Sequence, residues 1–400
     1  MNYYNMKFLL TIIFVALLSE VYGQKNISGF VIDQATRNPI PYVTVYISGT
    51  TIGTITNEKG EFILEKVSNS SLIVFSHVSY ITKTILMNES TLSELKLSLQ
   101  LRTLDLKEIK VEEKSLRNKN IDLFKKNFFG NDSWGSNIVF LNDSALKFEH
   151  IYNYKKVAIN DSVKNEIKRG FIKNIDQWDK DSLYIIIKEL TEFKVKANAP
   201  LNIRMPLLGY QLQVDLIDFK IKYINQYQQC ETLGYYYFQP YILDNDHKAK
   251  YVEKSRQRAY YNSSQHFIRS LFNKELAQNG YAIMEKNVAT KNNKNIFTSV
   301  SIDSCLKEVN HDQIQIVGLK DKKLYIFYYS KVSGEPIDLT VQKPSKYYKV
   351  SEIYFLDDNC LINRTGTIPN NSIMFSGDIS MKKIGSLLPE EYNIVSQQSN

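Results

Sequence analysis

Cysteine is nearly absent from this chain, with three in 400 residues: Cys230, Cys305 and Cys360. At most one bridge can form and one thiol is left over, so no disulfide framework can stand in for a hydrophobic core. Buried free thiols are expected. Histidine is almost as scarce: His77, His150, His247, His266 and His311. Three places after them stand Tyr80, Asn153, Lys250, Arg269 and Ile314, none of which is a carboxylate. Catalytic zinc takes three protein ligands and keeps a position open for water. Neither a His-x-x-Glu pair nor His-Glu-x-x-His occurs to begin such a site. The chain also lacks a Gly-x-Ser-x-Gly nucleophile elbow and a phosphate-cradling glycine loop. Cys305 and His311 are the closest thiol and imidazole in sequence, and no nucleophile signature surrounds them. No catalytic residue, metal or cofactor is therefore assigned.

Long apolar runs are missing too, apart from one at the N-terminus. Lys7 precedes the apolar residues 8–18, and small residues then lead to Gly23-Gln24. A cationic start, a short apolar stretch and a small residue before the cut predict a secretory signal peptide over residues 1–23. The stretch is shorter than the roughly 20 residues of a spanning helix, so cleavage before Gln24 is expected, with no transmembrane segment afterwards. No cysteine near the cut offers lipid attachment. Net charge is +8, but the cations are dispersed. No arginine stripe with interleaved aromatics is present, which excludes nucleic acid as a partner. A dispersed positive excess suits solubility or weak attraction to an anionic envelope surface.

What is present is a series of short strand signals. Residues 26–32, 42–47, 53–56, 61–64, 72–76, 81–87 and 95–101 are β-branched or aromatic runs separated by Gly, Pro, Asn and Ser, the pattern of a sandwich or barrel. Leu95, Leu97, Leu99 and Leu101 keep the period of two that a half-buried strand requires. The two prolines of Asn38-Pro39-Ile40-Pro41 make that stretch a connection. Asn57-Glu58-Lys59-Gly60 reads as a tight turn, with Phe62 entering the core behind it.

At these residues a resemblance emerges. Gly29-Phe30-Val31-Ile32-Asp33, then Pro39-Ile40-Pro41-Tyr42-Val43-Thr44-Val45, then Thr56-Asn57-Glu58-Lys59-Gly60-Glu61-Phe62 resemble the carboxypeptidase regulatory-like domain, a prealbumin-like sandwich. The resemblance covers about residues 26–112, and residues 106–111 resemble its closing strand. It implies a non-catalytic module of exported Bacteroidota proteins.

Beyond it, the charged residues 113–120 read as a linker. Residues 121–129 read as a short amphipathic helix stopped by Gly130. Strand signals return at 146–155, 183–190, 211–223, 234–243, 281–284, 314–317, 323–329 and 352–356. In residues 211–223 the apolar phase changes near Ile217-Asp218, as a bulge would produce. Ser263-Ser264 can cap a helix whose stripe is Phe267, Ile268, Leu271, Phe272 and Leu276, with Gly280 ending it. Pro206–Tyr210, Arg258–Leu271 and Leu387–Tyr392 resemble a segment found behind the same sandwich in Bacteroidota proteins of unassigned activity.

The fold expected is thus mostly β. A seven-stranded prealbumin-like sandwich at 24–112 leads through the linker 113–120 to a β-rich α+β domain with few helices at 121–395, then a polar tail at 396–400. Arg256, Arg258, Tyr260, Tyr261, His266 and Arg269 form the most suggestive cluster. Cations, aromatics and an imidazole suit an anionic sugar or a carboxylate. If 256–260 is a strand, Arg256, Arg258 and Tyr260 share a face, and the helix opening after Ser264 aims its amides at the same anion. Solvated arginines along a strand, with His266 at a helix start, would look the same in sequence. Tyr235-Tyr236-Tyr237-Phe238 sends two aromatics to each face of a strand, one set for a core and the other for a carbohydrate platform or a contact between domains. The expected function is binding or assembly at the outer membrane or cell surface, in the periplasm or outside it, without catalysis. The partner is an envelope glycan or an outer-membrane protein. A carbohydrate- or peptide-active enzyme with its site in 121–395 is the alternative, and zinc carboxypeptidase activity is disfavoured.

Overall fold

The alternating runs of the first hundred residues fold as seven strands. They are β1 (Lys25–Asp33), β2 (Thr44–Ile47), β3 (Gly53–Ile55), β4 (Glu61–Val67), β5 (Leu72–Ser76), β6 (Lys83–Leu86) and β7 (Glu94–Leu99). The computed structural model describes residues 25–68, 71–88, 94–102, 114–177, 183–224, 227–243, 245–288, 295–329 and 348–394. The expected signal peptide, the closing strand at 106–111 and the polar tail at 396–400 lie outside these residues.

Two sheets, ordered β4-β1-β7 and β3-β2-β5-β6, face each other across one core. β1 and β7 are parallel and the other pairs are antiparallel. Val31, Val43, Val45, Ile73 and Phe75 are fully buried, and Phe62 meets Phe75 edge-on with centroids 5.5 Å apart. The expected turn is present: Asn57 Oδ1 accepts from the backbone of Lys59 and of Glu61, both at 2.9 Å. Gly60 has φ +72, and a Cβ there would lie 2.5 Å from the Val31 carbonyl, so only glycine fits. Leu97 and Leu99 point inward as alternation requires, while Leu101, just past the strand, is exposed.

The linker expected at 113–120 is a correction. From Lys114 the chain is helical, and α1 runs Lys114–Phe128. Asn120, Ile121, Phe124 and Phe128 are buried along it at helical spacing. The surrounding Lys, Arg and Asn residues are its solvent face, which sequence alone makes look like a linker. Gly130, with φ +104, follows the helix.

A seven-stranded sheet comes next, from β8 (Val139–Phe140), β9 (Leu146–Ala158), β10 (Ile175–Gln177), β11 (Tyr184–Ala197), β12 (Leu201–Met205), β13 (Tyr210–Ile224) and β14 (Tyr227–Pro240). Its order is β10-β11-β13-β12-β8, with β14 on β13 and β9 on β11. A helix, α2 (Asp161–Lys168), is capped by Asn160, whose side chain accepts from the Val163 backbone. Along β13, Leu212, Val214 and Leu216 are buried, then Phe219 and Ile221, so the inward phase does change at Ile217-Asp218.

By compactness the chain forms two units. The first contains residues 1–124, 140–204 and 211–239; the second contains 125–139, 205–210 and 240–400. The sandwich therefore shares a unit with most of the following sheet.

The second unit carries α3 (Asp246–Tyr260) and α4 (Ser264–Phe272). Its five-stranded sheet is ordered β16-β15-β19-β20-β22, from β15 (Tyr281–Val288), β16 (Asn295–Ser299), β19 (Lys323–Tyr329), β20 (Tyr348–Phe355) and β22 (Ile373–Gly377). A three-stranded sheet adds β17 (Leu306–Asn310), β18 (Gln313–Val317) and β21 (Asn359–Asn363). The stripe of α4 (Phe267, Ile268, Leu271 and Phe272) joins Ile316, Ile326, Ile353 and Ile362 in one core. α4 ends at Phe272, before the expected stop at Gly280, and Leu276 packs beyond it.

Candidate functional site

The predicted arginine cluster rests on a strand at 256–260, and here the structure corrects the sequence reading. These residues are the last turns of α3. Asn245 caps it through the Lys248 backbone at 2.9 Å, and Ala, Lys, Glu, Gln and Arg fill it with good helix formers. Its buried stripe is Val252, Ser255, Ala259 and Tyr260. Two of those four are small, so the hydrophobic period was faint. Two residues along a helix turn about 200° around its axis, so Arg256 and Arg258 leave on different sides.

Arg256 lies over the Tyr210 ring at 4.3 Å and donates from Nε to the Leu208 carbonyl at 2.9 Å. Arg258 is exposed. Arg269 on α4 donates to the carbonyls of Thr365 (3.0 Å), Tyr392 (2.6 Å) and Glu390. It thereby fastens the C-terminal segment to the helix. Tyr260 is buried between His266, at 4.9 Å, and Tyr392, at 5.7 Å. The structure thus brings Tyr260, His266 and Arg269 together and leaves Arg256 and Arg258 outside that group.

His266 is 3% exposed. Its Nδ1 lies 2.9 Å from the Tyr281 hydroxyl and accepts from the Asn262 backbone at 3.3 Å. Burial first, then the Lys382 cation, pulls its pKa down to about 4, so the ring is neutral at pH 7. Ser263 caps α4 through the His266 backbone at 3.1 Å. Lys382 gives its ammonium to the carbonyls of Arg258 (2.9 Å), Ala259 (2.7 Å) and Tyr261, the open C-terminal end of α3. Burial first, then Lys349, lowers its pKa to about 7. In this polar interior the Arg269, His266 and Lys382 groups are satisfied, while the buried Asn262 side-chain amide has no hydrogen-bond partner among the described residues.

The Tyr235–Phe238 run also resolves, within the first unit. Tyr237 stacks on Tyr46 of the sandwich with centroids 5.0 Å apart, and Phe238 is fully buried. Backbone bonds join the same elements: Gly49 to the Tyr236 carbonyl at 2.7 Å and Phe238 to the Thr50 carbonyl at 3.0 Å. Asp215 on β13 is buried beside them, accepting from Tyr46 Oη (2.7 Å), Ser76 Oγ (2.6 Å) and Thr82 Oγ1 (2.6 Å). Burial first, then the Asp215 charge, raises the Tyr46 pKa well above 10. Of the two uses open to these tyrosines, Tyr237 serves the contact with the sandwich. Asp215 gave no sequence signal beyond being one of two acids, with Asp218, between the apolar residues of β13.

The surface that sequence reasoning missed is on the long β9–β11 hairpin. The register sets Tyr154 opposite Lys188, Tyr152 opposite Leu190 and Lys156 opposite Ile186, so these side chains share one face. Tyr152, Tyr154 and Tyr184 are exposed on it. Lys188 Nζ sits 4.2 Å from the Tyr152 ring centre, and Lys156 Nζ sits 4.3 Å from that of Tyr184. Tyr-Asn-Tyr-Lys-Lys at 152–156 shows the alternation. The Ile185-Ile186-Ile187 run has no polar–apolar alternation to mark an exposed face on its partner strand.

A concavity of about 400 Å³ in the second unit is lined by Phe272, Leu306, Ile314, Glu308, His311 and Arg364, among others. Arg364 donates from Nε and Nη2 to the His311 carbonyl at 3.2 and 2.9 Å, and lies 5.3 Å from the Phe272 ring centre. Among the described residues no group of three His, Cys, Asp or Glu side chains is placed to hold a metal ion. No described helix is long and apolar enough to cross a membrane.

The fold is that of a mostly β protein with an N-terminal β-sandwich. Residues 27–111 match the model of the CarboxypepD_reg-like domain, about the span that the quoted motifs marked out. No curated protein matches the chain. Among solved structures it is similar to a membrane-associated protein of unknown function from Bacteroides fragilis, at 12% identity over 55% of this chain and 99% of that one, with TM-score 0.16. It is also similar to a 9R-lipoxygenase from Cyanothece, at 8% identity over 64% of this chain and 48% of that one, with TM-score 0.17.

Proposed function

We propose that this is an exported, non-enzymatic protein of the Bacteroidota envelope that acts by binding or assembly at the outer membrane or cell surface. The observation that carries the reading is the exposed Tyr–Lys face of the β9–β11 hairpin. Three exposed tyrosines, two of them under a lysine, offer rings for stacking and hydroxyls for hydrogen bonds, and the lysines offer positive charge for an anionic partner. The partner is an envelope glycan or an outer-membrane protein. Export rests on the signal pattern of residues 1–23. The module boundaries, 24–112 for the sandwich and 121–395 for the rest, belong to the same proposal. Arg256, Arg258, Tyr260, His266 and Arg269 are the competing location for anion capture. The carbonyl bonds of Arg256 and Arg269 favour the hairpin instead.

The test is binding of the mature chain to outer-membrane vesicles and to soluble envelope glycan, with a Tyr152→Ala, Tyr154→Ala, Lys156→Ala triple variant alongside. The expected result is at least about tenfold weaker binding by the variant. Equal binding by the two proteins, or none by either, would overturn the proposal.

The second reading, a carbohydrate- or peptide-active enzyme, is favoured by the concavity whose lining includes both His311 and Glu308. It predicts turnover of glycan or peptide substrates that His311→Ala abolishes. No turnover, or turnover unchanged by that substitution, removes it.

A further inference from the structure

The backbone of β9 has a second, independent property. Among the described residues β9 pairs only with β11. The Ile159 N–H donates to the Leu183 carbonyl at 2.9 Å, which fixes the alternation along this antiparallel pair. Residues 157, 155 and 153 therefore exchange bonds with β11. Tyr152, Tyr154, Lys156 and Ala158 turn their N–H and C=O groups away from it. The far side of β11 agrees: Lys188, the partner of Tyr154, donates its N–H to the Asn174 carbonyl at 2.8 Å. The outward groups of Tyr152, Tyr154, Lys156 and Ala158 have no partner among the described residues. The open edge from Tyr152 to Ala158 spans about 20 Å, the length of a typical strand.

We infer that this edge takes an extended, acidic segment of a partner protein as an added strand. The inference rests on the binding reading above and supplies its mode. Main-chain bonds to the four outward residues would give affinity, and alternate side chains of the segment would meet the hairpin's two faces. Lys156 and Lys188 lie on one face and Lys155 on the other, against the single acid Glu189 in this part of the hairpin. Glu189 shares the Lys155 face and offsets it, so carboxylates at alternate positions of the segment are matched on the Lys156–Lys188 face. A second copy of this chain would set the same lysine-rich edge against itself, and lysines along an edge oppose such pairing.

The experiment titrates the mature chain with a capped peptide of about ten residues that alternates glutamate with valine and threonine. A second peptide carries N-methyl groups at alternate positions, and Tyr154→Ala and Tyr154→Pro variants are compared. Proline at 154 keeps the β9–β11 bonds, because that N–H points outward. The expected result is binding that N-methylation weakens at least about tenfold. Tyr154→Pro should weaken it more than Tyr154→Ala does, and the amides of Tyr152, Tyr154 and Lys156 should exchange more slowly when the peptide is bound. Absence of peptide binding, indifference to N-methylation, or unchanged exchange of those amides overturns the inference. So does a dimer in sedimentation that Tyr154→Pro dissociates, which gives the edge to a second copy. If the peptide fails while the triple variant still loses vesicle or glycan binding, strand addition falls and the Tyr–Lys surface stands. If that variant also binds normally, both fall.

Discussion

The β9–β11 hairpin of the first unit and the α3–α4 cluster of the second are built from the same kinds of side chain and use them in opposite ways. On the hairpin, Tyr152, Tyr154 and Tyr184 face water, with lysines over two of the rings. In the second unit Tyr260, Tyr281, Tyr328 and His266 are buried against one another, and Arg269 and Lys382 spend their hydrogens on main-chain carbonyls. A cluster of aromatics and cations in a sequence is therefore not yet a binding surface. The element that carries it decides which way the side chains point and whether backbone carbonyls claim the charge.

Substitutions on each side of that contrast have expected effects of different size. The largest effects belong to the interior of the first unit. Phe62→Ala removes a buried aromatic and should cost about 3–5 kcal/mol. Asp215→Ala leaves the buried Tyr46 and Ser76 hydroxyls and the part-buried Thr82 hydroxyl without their acceptor and should cost a similar amount, about 3–5 kcal/mol. Urea unfolding measures both, and unchanged midpoints would mean that neither site is closed.

Next comes the buried imidazole. The His266 pKa is about 4 in the folded chain against 6.5 ordinarily. Between those values the unfolded chain binds the proton and the folded chain does not. Its contribution is full above about pH 6.5 and is lost as pH falls toward 4, by about 3 kcal/mol in all. His266→Gln should flatten that part of the stability–pH curve; an unchanged slope would place the imidazole in water.

The arginines separate more finely. Arg269→Ala frees three part-buried carbonyls and should cost about 1–3 kcal/mol, whereas Arg258→Ala should stay within about 0.5 kcal/mol. Equal losses in thermal unfolding would contradict their different surroundings. Tyr154→Ala on the hairpin should also stay within about 0.5 kcal/mol.

How much of this could be read from the residues follows from where the signal lay. All seven sandwich strands were legible because period-two runs alternate there with Gly, Pro and Asn turns, and the Asn57–Gly60 turn formed as its side-chain chemistry requires. The eight strands expected later are present as well. α3 was not legible as a helix, since Ser255 and Ala259 supply its buried stripe and leave little hydrophobic period. The start of α1 was masked in the same way by its charged outer face. The Asp215 knot and the Tyr–Lys face depend on register between strands distant in sequence, such as Tyr154 opposite Lys188, and no local pattern encodes that pairing.

The account turns on which cluster meets a partner, and one paired measurement addresses it. Binding to outer-membrane vesicles and soluble envelope glycan should be recorded for the wild type, the Tyr152→Ala, Tyr154→Ala, Lys156→Ala variant and Arg258→Ala, with unfolding midpoints confirming that each is folded. The account predicts at least about tenfold loss for the hairpin variant and none for Arg258→Ala. Loss confined to Arg258→Ala, with the hairpin variant binding as the wild type does, would contradict it.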